Sequence, residues 1–270
     1  MYTLALVYFQ EGVMILTVDI GNTNTVFGIY DEDKLLCKFR LQSIHDKTTD
    51  EYAILVLSLL ERNNVNIHNL QGAIIASVVP TLQYTFTRVL KKYLHLEPLI
   101  VGSGLKTGIA IRVDNPKEVG ADRIVNAAAS ILKFGAPCII IDFGTATTFD
   151  VINSNKDYIG GLICPGIMLA SKILRTSTAK LPEVSIKKPS SVVGKNTVHH
   201  IQSGIYFGYL EMINGLLRRI LDEEFESSSS IPVIVTGGLG RDMSKYMLYN
   251  AKYEANLTLD GLKILYDKNV

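Results

Sequence analysis

Two short polar turns of similar composition stand in the two halves of the chain. They are Asp19-Ile20-Gly21-Asn22-Thr23-Asn24-Thr25 and Asp142-Phe143-Gly144-Thr145-Ala146-Thr147-Thr148. Each turn closes an apolar, β-branched run and leads into a second β-rich run, which is typical of a turn between buried strands. Two such turns predict a duplicated unit that binds one anionic ligand from both sides. A nucleotide triphosphate with its metal is the ligand that fits these residue types.

The chemistry of a single turn supports this interpretation. An aspartate at a strand end places a carboxylate where a cation can bind, and glycine lets a phosphate approach the backbone because it has no Cβ. Backbone N–H groups, threonine hydroxyls and asparagine amides supply donors for phosphate oxygens. A plain β-hairpin is the alternative, since Asp-x-Gly and Asn-rich turns are common there. The matched second copy favours the ligand site.

A third informative segment lies between the two turns. Pro116 can begin a helix, and Asp122 and Asn126 then share one face of it because they are four residues apart. A carboxylate near a helix start is favoured by the helix dipole and stays ionised, which suits a general base that accepts a hydroxyl proton. The alternative is that Asp122 and Arg123 are ordinary solvated helix charges.

Composition limits the class of protein. The chain has 270 residues with 47% hydrophobic and 20% charged residues, so it can bury a core in one large domain or two ordinary ones. A net charge of +1 favours neither nucleic acid nor a membrane surface as a partner. Three cysteines, Cys37, Cys138 and Cys164, lack paired spacing and predict reduced thiols in the cytoplasm.

The apolar pattern along the chain predicts the organisation. No apolar stretch is long enough to span a membrane, and residues 1–13 lack the positive start of a signal peptide, so we expect them to be an upstream extension. Strands are predicted at 14–19, 25–31, 34–41, 72–77, 99–101, 138–142, 147–152, 157–164 and 231–236. Helices are predicted at 49–62 (capped by Thr49 or Asp50), 81–95, 117–134, 165–177, 197–225 and 241–248.

This order is βββαβαβ, present twice. It predicts an α/β protein with two mixed sheets covered by helices, divided into an N-terminal domain at 14–117 and a C-terminal domain at 118–270. Two such units facing each other would leave a cleft, where ligands usually bind.

The ordered motifs resemble a known family. Asp-x-Gly-Asn-Thr, Asn-Pro-x-Glu-Val-Gly-Ala-Asp-Arg, Asp-x-Gly-Thr-Ala-Thr-Thr, Pro-Gly, Gly-Lys-Asn-Thr and Thr-Gly-Gly follow one another as in type III pantothenate kinase. The resemblance implies the duplicated ribonuclease-H-like fold of actin-like ATPases, shared with sugar kinases and heat-shock chaperones. It also implies ATP-dependent phosphorylation of pantothenate to 4'-phosphopantothenate, the first step of coenzyme A biosynthesis. A cytoplasmic homodimer that needs a monovalent cation (K⁺ or NH₄⁺), and Mg²⁺ with ATP, is expected.

The resemblance also implies roles for individual residues. Asp122 would be the catalytic base, Asp142 would hold the monovalent cation, and Thr145 would contact ATP. The first phosphate turn would comprise Asp19, Ile20, Gly21, Asn22, Thr23, Asn24, Thr25 and Val26. Pantothenate would contact Gly120, Ala121, Asp122, Arg123, Thr197 and Val113.

One position departs from the family, and two alternatives stay open. Val113 stands where many members have a tyrosine that packs on pantothenate, so a kinase for another small hydroxylated acceptor is one alternative. The other is an ATP-binding regulatory member of the superfamily, an accessory to transcription without kinase activity, because the two turns specify nucleotide binding and not phosphoryl acceptance.

Overall fold

The computed structural model describes residues 13–225 and 231–270. The predicted extension therefore lies outside the described residues, except for residue 13. The chain forms two compact units. Unit 1 comprises the described residues up to Thr107 together with Val119–Val125 and Thr258–Val270, and unit 2 comprises Gly108–Glu118 and the described part of Asn126–Leu257. The division at 117/118 stays a prediction, and the units differ from it in that each is built from non-contiguous segments.

Each unit contains one five-stranded mixed sheet. The order is β3-β2-β1-β4-β5 in unit 1 and β10-β9-β6-β7-β8 in unit 2, so both sheets have the same topology. The strands are β1 (Met14–Ile20), β2 (Asn24–Asp31), β3 (Lys34–Gln42), β4 (Leu70–Ser77), β5 (Leu99–Ile100), β6 (Cys138–Phe143), β7 (Ala146–Ile152), β8 (Tyr158–Pro165), β9 (Val233–Gly237) and β10 (Ala251–Tyr253). The first three strands of each sheet are antiparallel neighbours, and the later ones join in parallel.

Helices cover these sheets. They are α1 (Thr49–Arg62), α2 (Pro80–Tyr93), α3 (Ala121–Phe134), α4 (Ile167–Thr176), α5 (Thr197–Glu224), α6 (Gly240–Met243) and α7 (Leu257–Asp267). In unit 1 the rings of Phe27 in β2 and Phe86 in α2 are 5.5 Å apart, and Tyr52 of α1 lies 4.5 Å from Phe86. In unit 2 the apolar face of β6 and β7 belongs to one buried cluster with α5. None of the described helices is both long and apolar enough to cross a membrane.

One predicted helix cap and one predicted helix start were wrong, whereas α1 spans the predicted residues 49–62. Helix α1 is capped by Thr48, not by Thr49 or Asp50, because Thr48 and Glu51 form a capping box in which each side chain binds the other's backbone N–H. The helix predicted from residue 117 begins at Ala121, after a separate 3₁₀ turn over Pro116–Glu118. That turn is held by Asn115, which accepts from the Lys117 amide and donates to Glu118. The later start places Asp122 in the first turn of α3.

Candidate active site

The first polar turn joins β1 to β2 in unit 1. Asp19 is the penultimate residue of β1, half-buried and opposite Val26 in the antiparallel register. The Gly21 N–H donates to the carbonyl of Asn24 at 3.0 Å, which closes the turn. A Cβ built on Gly21 would lie 3.1 Å from that same carbonyl oxygen, so a side chain there would crowd the turn. Asn22 and Thr23 are exposed at its tip, where their polar groups can meet a ligand.

Ser43, the residue after β3, stabilises this turn by hydrogen bonds. Its hydroxyl donates to the Gly21 carbonyl at 2.7 Å and lies 3.0 Å from the hydroxyl of Thr25, and its N–H donates to the Thr23 carbonyl at 3.0 Å. Ser43 was not predicted as a site residue, because only the strand register brings the end of β3 beside the turn.

The start of α3 positions Asp122. The Gly120 carbonyl accepts from the amides of Arg123 and Ile124 at 3.1 and 3.3 Å, so Gly120 supplies the first carbonyl of the helix. The Asp122 Oδ1 atom accepts from the Arg123 N–H at 2.9 Å and lies close to the Cα of Gly120. Burial raises the pKa of Asp122 above its ordinary value, and the bond from the Arg123 amide and the nearby guanidinium charge oppose this rise.

This helix start lies beside the first turn within unit 1. A Cβ on Gly120 would lie 3.5 Å from Val78 Cγ1, and the Val78 N–H donates to the carbonyl of Ile20 at 3.1 Å. Unit 1 therefore brings the segment from Gly120 to Arg123, Ala121 included, next to the end of β1. Four of the residues predicted to contact the acceptor are therefore neighbours of the residues predicted to contact phosphate.

The second polar turn joins β6 to β7 in unit 2. Asp142 is half-buried opposite Thr148, and its Oδ2 atom accepts from the Asn126 side-chain amide at 3.3 Å. Gly237 ends the neighbouring strand β9 with φ +87°, a conformation that suits glycine. A Cβ there would lie 2.5 Å from the Phe143 carbonyl oxygen and 2.7 Å from Asp142 Oδ1, so two oxygens converge on the space that glycine leaves open.

Two residues from outside the second turn pack against it. Gly166 follows β8, and a Cβ on it would lie 2.2 Å from the Thr145 carbonyl oxygen. The Tyr209 hydroxyl of α5 is hydrogen-bonded to Thr147 and to the Pro165 carbonyl, the latter at 2.8 Å. The Pro-Gly pair is visible in the sequence, whereas nothing in the spacing of Tyr209 indicates this contact.

The other two predicted substrate residues stand apart from the second turn. Thr197 is the exposed first residue of α5, whose N-cap Asn196 accepts from the His199 amide at 3.0 Å. Tyr209 is twelve residues further along the same helix, a rise of about 18 Å. Val113 is half-buried and follows Arg112, whose N–H donates to the Tyr158 carbonyl at 2.8 Å.

Within the described residues, no cluster of three or more His, Cys, Asp or Glu side chains could hold a metal ion.

The comparisons with known proteins identify the family. The family model of type III pantothenate kinase matches residues 15–219. The chain belongs to this family. It is 47% identical over 257 residues to the type III pantothenate kinase of Shouchella clausii, covering 95% of this chain and all of the relative. Family membership confirms the predicted kinase and favours it over the regulatory alternative.

Solved structures confirm the predicted fold class. The ethanolamine utilization protein EutJ from Carboxydothermus hydrogenoformans matches with a TM-score of 0.53 and 16% identity, over 93% of this chain and 89% of that protein. The MreB 5 protein of Spiroplasma citri matches with a TM-score of 0.53 and 12% identity, over 94% and 96% of the two chains. At these identities the likeness shows the shared actin-like ATPase fold alone.

Proposed function

We propose that this chain transfers the γ-phosphoryl group of ATP to the hydroxyl group of pantothenate. The product is 4'-phosphopantothenate, and the reaction is the first step of coenzyme A biosynthesis. Family membership supports the proposal. The main structural support is the partly buried Asp122 carboxylate at the start of α3, next to the end of β1.

Asp122 acts as the general base. It orients the attacking hydroxyl and takes its proton while the new P–O bond forms and the bond from the γ-phosphorus to the leaving diphosphate oxygen breaks. Its raised pKa makes it a better proton acceptor than an exposed aspartate, and its bond to the Arg123 amide keeps it in place. Most of the rate acceleration then comes from positioning and charge stabilisation.

The remaining contacts divide between acceptor and nucleotide. Arg123 pairs with the pantothenate carboxylate, as arginine does with carboxylates generally. Gly120, Ala121, Val113 and Thr197 also contact pantothenate. Phosphate oxygens contact the first turn, and the nucleotide also contacts Thr145. The residues of the first turn are Asp19, Ile20, Gly21, Asn22, Thr23, Asn24, Thr25 and Val26.

Two cations would accompany the reaction. Asp142 would hold a monovalent cation, potassium or ammonium, and the two oxygens that converge beside Gly237 form a donor set that suits such a hard ion. Mg²⁺ would enter with ATP and would neutralise charge on the phosphate oxygens. The Asn126 side-chain amide donates to the other oxygen of Asp142, Oδ2, and holds the carboxylate in place.

We also propose that the protein is a cytoplasmic homodimer. Helix α4 exposes four apolar side chains, and the loop before α5 exposes Val193 at 77%. These side chains are Met168, Leu169, Ile173 and Leu174. A second copy of the chain would cover this apolar surface of unit 2. The cytoplasm supplies ATP and keeps the three free cysteines reduced. Sedimentation of wild type and of Ile173→Glu tests the dimer, which the charged variant should dissociate.

The test of the reaction is ATP consumption by purified protein with and without pantothenate, in potassium and again in sodium. We expect turnover that depends on pantothenate and is faster in potassium. ATP binding without turnover in either salt would contradict the kinase. Turnover only with another hydroxylated acceptor would contradict pantothenate as the substrate, and Val113 would then be the first position to change.

A further inference from the structure

The strand that follows each polar turn has a buried threonine as its second residue. Thr25 lies opposite Ile20 in β1 and Leu41 in β3. Thr147 lies opposite Phe143 in β6 and Cys164 in β8. Each threonine therefore pairs with the residue that follows the aspartate of its own turn, and both side chains are almost completely buried. The two threonines are structurally equivalent.

In unit 1 the hydroxyl of Thr25 begins a short hydrogen-bond chain. The Ser43 hydroxyl donates its one proton to the Gly21 carbonyl, so at the contact between Ser43 and Thr25 the donor must be Thr25. The order is threonine hydroxyl, serine hydroxyl, carbonyl. These hydrogen bonds fix Thr25, the second residue of β2, to the Gly21 carbonyl in the turn.

In unit 2 a tyrosine occupies the place of that serine. The Tyr209 hydroxyl lies within hydrogen-bond distance of both Thr147 and the Pro165 carbonyl. The Tyr209 hydroxyl is the donor in both contacts, so it links Thr147 to the Pro165 carbonyl. The order is again threonine hydroxyl, second hydroxyl, carbonyl.

The residue after the third strand explains why the two units use different side chains. In unit 1 this residue is Ser43, which follows Gln42, the partner of Asn24. In unit 2 it is Gly166, which follows Pro165, the partner of Ala146. A side chain on Gly166 would collide with the backbone of the second turn, since its Cβ would lie 2.2 Å from the Thr145 carbonyl oxygen. The hydroxyl must therefore come from elsewhere, and α5 provides it.

We propose that Ser43 and Tyr209 are positioning residues that set the ligand-binding geometry of the two turns, each through a threonine, hydroxyl and carbonyl chain. This inference rests on the proposed function of the turns as nucleotide-binding segments. Neither residue needs to touch the nucleotide. Each holds its turn in the conformation that presents N–H groups to phosphate oxygens or, in unit 2, presents Thr145 to the nucleotide.

The test uses Ser43→Ala and Tyr209→Phe in the full chain, with Thr17→Val as the matched control. The Thr17 hydroxyl is buried in β1 and donates to the Gly28 carbonyl at 3.2 Å, away from the turn. We expect Ser43→Ala and Tyr209→Phe to raise the KM and Kd for ATP roughly three- to tenfold, the value of one net hydrogen bond. The KM for pantothenate should stay near the wild-type value. The control should lower Tm without changing the KM for ATP.

The outcomes separate this inference from the proposed function. If the two variants change ATP affinity no more than Thr17→Val does, or raise the KM for pantothenate equally, their role is only structural and the inference is wrong. If the wild type binds ATP but does not phosphorylate pantothenate, the proposed acceptor fails, while the Kd for ATP still decides the inference. A wild type that binds no ATP would overturn both. Non-additive effects of Tyr209→Phe and Thr147→Val on ATP affinity would support the hydrogen-bond link between these two side chains.

Discussion

The carboxylate of Asp122 lies directly against the backbone of Gly120. A Cβ built on Gly120 would be 2.5 Å from Asp122 Oδ1, so only glycine leaves room for the carboxylate in its present position. Gly120→Ala should therefore push the carboxylate aside, and because that oxygen ends a rotatable side chain, the fold should survive. Since displacing a catalytic group by 1 Å can cost about 100-fold, we expect kcat to fall by that order. Steady-state kinetics with circular dichroism would measure both effects.

Gly102→Ala is the matched control for that variant. Nothing lies within 4 Å of a Cβ at Gly102, so the added methyl group meets open space. Its kcat should equal that of the wild type. Equal activity of Gly120→Ala and wild type would mean that the position of the carboxylate does not matter for the reaction.

Asp122→Asn should remove the general base while keeping the shape of the side chain. We expect kcat to fall by about 10² to 10⁴, the usual contribution of a general base, with ATP binding unchanged. Asp114→Asn, at an exposed aspartate of the preceding loop, is the control and should keep full activity. Rapid-quench measurement of phosphopantothenate formation would isolate the chemical step. Near-normal activity of Asp122→Asn would exclude it as the base.

The raised pKa of Asp122 also predicts how stability depends on pH. Because the pKa is higher in the folded chain than in the unfolded chain, the folded state binds this proton more tightly, and the ionised carboxylate destabilises the fold. This cost grows as the pH rises from the ordinary aspartate pKa through the raised one. The unfolding free energy of Asp122→Asn relative to wild type should therefore increase over that window and stay constant above it. Urea unfolding at several pH values measures it, and an advantage that shrinks with rising pH would contradict the sign.

The sequence predicts the local parts of this architecture well. Runs such as Met14–Ile20 and Cys138–Phe143 are short, apolar and β-branched, which indicates buried strands, and the polar residues after them indicate the two turns. The segment from Gly120 to Arg123 is recognisable because its residues are consecutive. In each case the signal lies within about ten residues.

Contacts that depend on strand register or on distant segments cannot be predicted from local sequence patterns. Ser43 reaches the first turn only because Gln42 pairs with Asn24, and Tyr209 is 62 positions after Thr147. Helix α7 was not predicted, and from Thr258 onward it belongs to unit 1 with the first strands, where the Tyr30 hydroxyl donates to Asp260 at 2.5 Å. Tertiary packing fixes these relationships, and no local pattern encodes them.

Gly166→Ala should damage the second turn through the backbone. The added Cβ would lie 2.2 Å from the Thr145 carbonyl oxygen and 2.8 Å from that of Gly144, and these backbone atoms cannot rotate away. We expect a loss of about 1–3 kcal/mol in the free energy of unfolding, as for other overpacked sites, together with a higher KM for ATP. Chemical denaturation and initial-rate kinetics measure the two effects.

Gly215→Ala, inside α5, provides the comparison for Gly166→Ala. Nothing lies within 4 Å of a Cβ at Gly215, so this change should stabilise the helix by roughly 0.5–1 kcal/mol. If the Gly166→Ala variant were as stable as the Gly215→Ala variant, the backbone of the second turn could shift to admit the methyl group, and the expected clash would be wrong.

Asp142→Asn should weaken the response to potassium. The aspartate carries the charge that would attract a monovalent cation to the oxygens beside Gly237, and the amide keeps the shape without the charge. We expect the variant to lose most of the rate difference between potassium and sodium, while Asp242→Asn, an exposed residue paired with Lys245 in the same unit, keeps it. Initial rates over a potassium titration give the activation constant directly. An unchanged activation constant in Asp142→Asn would place the cation elsewhere.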